Sequence, residues 1–98
     1  MNLEEFIALS NLCEYHEVEM SFFTDLSEIG LIEIRQIETA NYLHRDNIAD
    51  IEKMIRMHRE LNINAEGIDV VFNLLKRVEE LQQELLTTKN RLHIYELD

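Results

Sequence analysis

Apolar residues fall in short clusters over the first sixty positions and in one long stripe after them. Phe6-Ile7-Ala8-Leu9 is an apolar run too short for its period to separate strand from helix. Ser10 follows as a candidate N-cap. Leu12, Cys13 and Val18 form the apolar side of a short helix over about 10–16 and the turn behind it. Glu19 opens a second helix, in which Phe23, Leu26 and Ile29 at i, i+3 and i+6 share one face. Gly30 stands where a left-handed residue closes a helix, a conformation that costs glycine nothing.

The pattern changes after Gly30. Leu31-Ile32-Glu33-Ile34 runs into Arg35-Gln36-Ile37, the polar stretch Glu38-Thr39-Ala40-Asn41 follows, and Tyr42-Leu43-His44 completes the segment. Apolar, β-branched runs on either side of a polar turn predict a small β-hairpin. Asp46 is placed to cap a third helix, whose buried face is Ile48, Ile51, Met54, Ile55, His58 and Leu61 and which ends near Asn62. Asn64 caps a last helix from about Ala65 towards Leu97, interrupted only by Gly67. At ~1.5 Å per residue it is about 50 Å long and extends well past so small a domain.

That last helix carries a heptad. Val71, Val78, Leu85 and Leu92 take position a, and Leu74, Leu81, Thr88 and Tyr95 take d, with charges at e and g that permit a parallel or an antiparallel pair. Val71, Leu74 and Leu75 are expected to cover their own domain. Beyond Val78 no domain is left to cover, and the apolar stripe needs a partner. The expected division is therefore an N-terminal domain over 1–62 and a dimerisation helix over 63–98, with Val78, Leu81, Leu85, Leu92 and Tyr95 joining a homodimer.

Composition agrees with helix and changes the functional picture. The chain has 98 residues, no Pro and two Gly, which disfavours turn-dense all-β folds. Nine Lys and Arg against 20 Asp and Glu give a formal net charge of −11. The imbalance is local: residues 1–52 hold 12 acids and two bases, whereas residues 53–98 hold eight acids and seven bases. Such a front repels DNA and steers a basic protein towards it. One Cys forms no internal disulfide, no apolar run approaches the ~20 residues of a membrane span, and the acidic start is unlike a signal peptide. The expected location is the cytoplasm, with no membrane partner.

Catalytic signals are missing. His16, His44, His58 and His93 are scattered, and Cys13 with His16 supplies two ligands where zinc takes three or four. There is no phosphate loop and no nucleophile elbow. The reading is a non-enzymatic protein with no catalytic residues, metal or cofactor.

The order of elements, with Leu9-Ser10-Asn11-Leu12-Cys13, the closing Ile29-Gly30-Leu31-Ile32 and the run into Arg59-Glu60-Leu61, resembles the winged helix-turn-helix of the MerR family over about residues 7–80. The resemblance implies a mainly α fold with a β-hairpin wing and a long C-terminal coiled-coil helix. MerR regulators grip phosphates with Arg and Tyr on the second helix and with further Arg in the wing. Here the matching helix offers Ser21, Thr24 and Asp25, and the wing only Arg35 and Arg45. Six to ten phosphate contacts are typical of strong binders, so the resemblance carries the scaffold without the DNA chemistry. Within that fold the chain is similar to the CbpM-like chaperone modulators, in its Leu12-Cys13, in Gly30-Leu31-Ile32-Glu33, and in His58-Arg59-Glu60-Leu61 before Glu66-Gly67-Ile68. This similarity implies an adaptor that binds the J domain of a DnaJ-type co-chaperone of the CbpA class and holds it inactive. The candidate contact residues are Glu17, Glu19, Asp25, Glu28, Asp46 and Asp50, with Phe22 as an exposed apolar anchor. The alternatives are a MerR-type DNA-binding regulator and an acidic decoy that imitates DNA.

Overall fold

The computed structural model describes residues 3–96. A 3-10 turn (Leu3–Glu5) leads into β1 (Phe6–Ala8), α1 (Leu9–His16) and α2 (Met20–Glu28). The hairpin β2 (Arg35–Ile37) and β3 (Ala40–His44) follows, then a second 3-10 turn (Arg45–Asn47), α3 (Ile48–Leu61) and α4 (Ala65–Glu96). The protein is mainly helical with one small antiparallel sheet in the order β1-β3-β2. Phe6 pairs with His44 and Ala8 with Tyr42 on one side of β3, and Arg35 pairs with Tyr42 and Ile37 with Ala40 on the other. The expected hairpin is present, and the ambiguous N-terminal run is its third strand.

Helix ends show how local sequence directs the chain. After α2, Gly30 at φ 85° lets its N–H reach Ser27 O at 3.1 Å and the Leu31 N–H reach Leu26 O at 3.0 Å. This double closure satisfies carbonyls the helix leaves open. Asn64 caps α4 as expected, its Oδ1 accepting the Gly67 N–H at 2.9 Å. A Cβ at Gly67 would lie 2.6 Å from Ile63 Cγ2, so a larger residue there would have to displace the Ile63 side chain.

Two expected caps are corrected. α1 starts one residue early, so Ser10 lies inside it and Ala8, with no side-chain cap bond, precedes it. The turn before α3 is capped by His44, whose Nδ1 accepts the Asp46 N–H at 3.1 Å, and Asp46 is not the cap. In both cases a strand sets where the helix begins: β1 and β3 deliver Ala8 and His44 in extended conformation, so the cap position falls on them.

The core lies between the sheet and the helices. Leu9 and Leu12 of α1, Phe22, Phe23 and Leu26 of α2, Leu43 of β3, and Ile51, Met54 and Ile55 of α3 are buried together with Ala65 and Ile68 of α4. Leu61, expected on the buried face of α3, is 67% exposed. Asn62 takes a left-handed conformation, φ 54°, and the turned chain packs Ile63 against the core instead.

α4 leaves the domain earlier than its heptad suggested. Phe72 still packs on the core, but Leu74 and Leu75 are exposed, contrary to expectation. The protein measures 64 × 34 × 21 Å with a radius of gyration of 18.5 Å. A compact chain of 100 residues has about 13 Å. The difference is the projecting helix.

Candidate protein-interaction surface

The turn between α1 and α2 is built by a left-handed residue, Glu17, at φ 55°, behind which the Val18 N–H returns to Cys13 O at 3.0 Å. Val18 is thereby buried while Glu17 and Glu19 face solvent. Glu17 pairs with Arg59 of α3 at 3.6 Å. Glu19 starts α2 and accepts the Ser21 hydroxyl at 3.4 Å. Asp25 and Glu28 are exposed further along the same helix. Neither α1 nor α2 contains a Lys or Arg, so apart from Glu17, which meets Arg59 of α3, the carboxylates of this surface face no Lys or Arg of their own helices.

Phe22 is not an exposed anchor. It is 5% exposed and stacks on His58 of α3 with ring centroids 4.3 Å apart and planes 14° apart. His58 Nδ1 in turn lies 3.3 Å from Ile63 O. The apolar stripe of α2 is one residue wider than the i, i+3, i+6 pattern implied, and Phe22 fills its edge.

Asp46 and Asp50 are exposed, but Asp46 belongs to a different cluster. It lies 3.5 Å from His44 Nδ1, while His44 Nε2 is 3.8 Å from Glu5. Two adjoining clefts around this histidine are lined by Glu4, Glu5, Glu33 and Asp46 together with Arg35 and Arg45. The pairing of β1 with β3 brings Glu4 and Glu5 here, and the pairing of β2 with β3 brings Glu33, so none of the three is legible from local sequence. The ambiguous Phe6-Ile7-Ala8 run was the only hint of the first pairing.

The second surface is the free part of α4. Val78, Leu81, Leu85 and Leu92 are between 47% and 58% exposed. The side chain of Tyr95, the fifth residue assigned to this stripe, lies outside the described residues, as does Leu97.

Cys13 is half-buried beside the core, and that burial pushes its thiol above its ordinary value of 9.0. His16 instead faces a cleft shared with α3. Among the described residues, no group of three or more His, Cys, Asp or Glu could hold a metal ion. Among them, too, no helix is long and apolar enough to cross a membrane.

Comparison with known proteins gives this geometry a family. The family described as MerR HTH family regulatory protein matches residues 7–90. The chain is similar to the chaperone modulatory protein CbpM of Citrobacter koseri, 28% identical over 98 residues that cover 99% of this chain and 92% of the relative. It is also similar to the chaperone modulatory proteins CbpM of Pseudomonas putida strain KT2440 and Pseudomonas entomophila, at 26% and 24% identity, each over 86% of this chain and 84% of the relative. No solved structure matches significantly. The match spans both the sheet-and-helix head and most of the projecting helix, and the chain belongs to the MerR helix-turn-helix family of regulatory proteins.

Proposed function

We propose that this protein is a chaperone modulator that works as a non-enzymatic adaptor, binding the J domain of a DnaJ-type co-chaperone and holding it inactive. The observation that carries the reading is the chemistry of α1, α2 and the turn between them: exposed Glu17, Glu19, Asp25 and Glu28, and no Lys or Arg on either helix. In a DNA-binding helix-turn-helix the second helix enters the groove and needs phosphate contacts around it. Here it would carry carboxylates towards phosphate. The same surface attracts a basic helix on a protein, and the similarity to chaperone modulatory proteins points to a partner of the chaperone system. The wing is the β2–β3 hairpin. Two copies join through Val78, Leu81, Leu85 and Leu92 into a coiled coil, presenting two acidic heads.

The test is titration calorimetry with the J domain of a CbpA-class co-chaperone, at two salt concentrations. Tight binding that weakens with salt is expected, with at least a tenfold loss in Asp25→Lys with Glu28→Lys. Affinity unchanged by that double reversal would remove α2 from the contact. A gel shift at low salt, about 50 mM, addresses the DNA-binding alternative, because even weak phosphate binding registers there. Retardation of DNA at micromolar protein would favour a transcriptional regulator over the adaptor.

A further inference from the structure

The head is acidic, yet α3 carries three of its bases on one side: Lys53, Arg56 and Arg59 at three-residue spacing. Their circumstances differ. Arg59 pairs with Glu17. Among the described residues, Lys53 and Arg56 have no ion pair. Arg56 lines a cleft of about 350 Å³ between the end of α1 and α3, together with His16, Arg59 and the buried Ile55. Glu52 and Glu60 line the same cleft. Along α3 this makes a column Glu52, Arg56, Glu60 at four-residue spacing, the spacing at which side chains on one helix stand one above another.

We infer that this cleft is a second docking site, which takes a partner helix bearing a base, an acid and a base at four-residue spacing. Each group of that helix would meet an opposite charge: a base at Glu52, a carboxylate between Arg56 and Arg59, a base at Glu60. A polyanion is disfavoured, since two carboxylates flank Arg56 and the adjoining α1–α2 turn is acidic. A second copy of this chain also fits poorly. Set in register on a two-fold axis, α3 against α3 opposes like charges, and a one-turn shift matches two positions and leaves Glu60 opposite apolar Ile48. A complementary chain can thus match all three positions of the column, whereas a second copy matches two at most, and such a difference is how charge patterns enforce specificity. The inference extends the reading that this protein acts by binding another protein, but its test needs no J domain.

The test is a titration of the isotopically labelled full chain with a capped, alanine-rich helical peptide of about twenty residues, long enough to be helical. The peptide carries Lys, Glu and Lys at four-residue spacing, and its charge-inverted counterpart carries Glu, Lys and Glu. Saturable amide shifts centred on His16 and residues 52–60 are expected with the first peptide and not with the second. In Arg56→Glu, whose side chain is exposed and whose fold is checked by circular dichroism, affinity for the first peptide should fall about fivefold or more, since an attraction becomes a repulsion. Absence of shifts, equal response to both peptides, or unchanged affinity in Arg56→Glu would overturn the inference. So would a short DNA duplex that shifts the same amides more strongly than the peptide, which would assign the cleft to phosphate.

Discussion

Phe22 shows how a residue's role depends on which side of a stripe it falls. It sits next to Phe23, which points fully inward, and so lies on the edge of the apolar face of α2. From spacing alone it could turn to solvent or to α3. The structure stacks it on His58, tying α2 to α3 and, through Ile63 O, to the turn that launches α4. Phe22→Ala is therefore expected to cost stability, about 3–5 kcal/mol as for other buried aromatics, read as a fall in the urea midpoint. An exposed anchor would instead lose partner affinity at unchanged stability. Glu38 is the opposite case, a residue whose side chain does less than its backbone. It occupies the two-residue turn between β2 and β3 at φ 58°, which penalises any Cβ. Glu38→Gly should raise stability by about 1 kcal/mol, or about 4–8 °C in the melting midpoint. No pattern of apolar residues reveals either feature. One depends on a contact between distant helices, the other on a backbone angle.

At the scale of elements, most of the fold was legible. The second helix with its Gly30 closure, the hairpin, the third helix and the Asn64 cap follow from signals confined to a few neighbouring residues. The elements that were misplaced depend on pairing across long stretches of chain. β1 exists because Phe6 to Ala8 meet β3 some 36 residues later, and that pairing moved the caps from Ser10 to Ala8 and from Asp46 to His44. The Asn64 cap is where a local signal carries structural consequence. Its Oδ1 takes the Gly67 N–H just where Ile63 crowds the helix start, and Ala65 and Ile68 in the first turn are buried. Asn64→Ala should cost about 1 kcal/mol, in the usual range for a lost cap, measured by thermal unfolding. Because that first turn is core, the loss should appear in the global transition. Fraying of α4 alone, with the head unaffected, would show that the cap serves only the projecting helix.

For the whole molecule, the acidic front and the projecting helix were both visible in the sequence, one as charge segregation and the other as a heptad. The arrangement of the surface was not. The carboxylates separate into one group on α1 and α2 and another around His44, and a column of alternating charge, Glu52, Arg56 and Glu60, lines a cleft on α3, because these groupings depend on how the helices pack. α4 also leaves the domain a turn earlier than the heptad implies: Leu74 and Leu75 join the exposed stripe. That enlarges the apolar surface needing cover. Val78, Leu81, Leu85 and Leu92 repeat at heptad spacing over four turns, and the proposed coiled coil would cover them. Heptad-paired helices bury such residues in the seam, and a charge there is carried into an apolar interface. Leu85→Lys with Leu92→Lys should thus give a monomer by sedimentation at concentrations where the parent chain is dimeric. Since both residues lie beyond the head, the double variant should keep its folded helical spectrum. The parent's melting midpoint should rise with protein concentration, as mass action requires of a dimer, and the variant's should not. A dimer that survives both lysines would move the interface from this stripe to the head, and would leave α4 free to hold a partner itself.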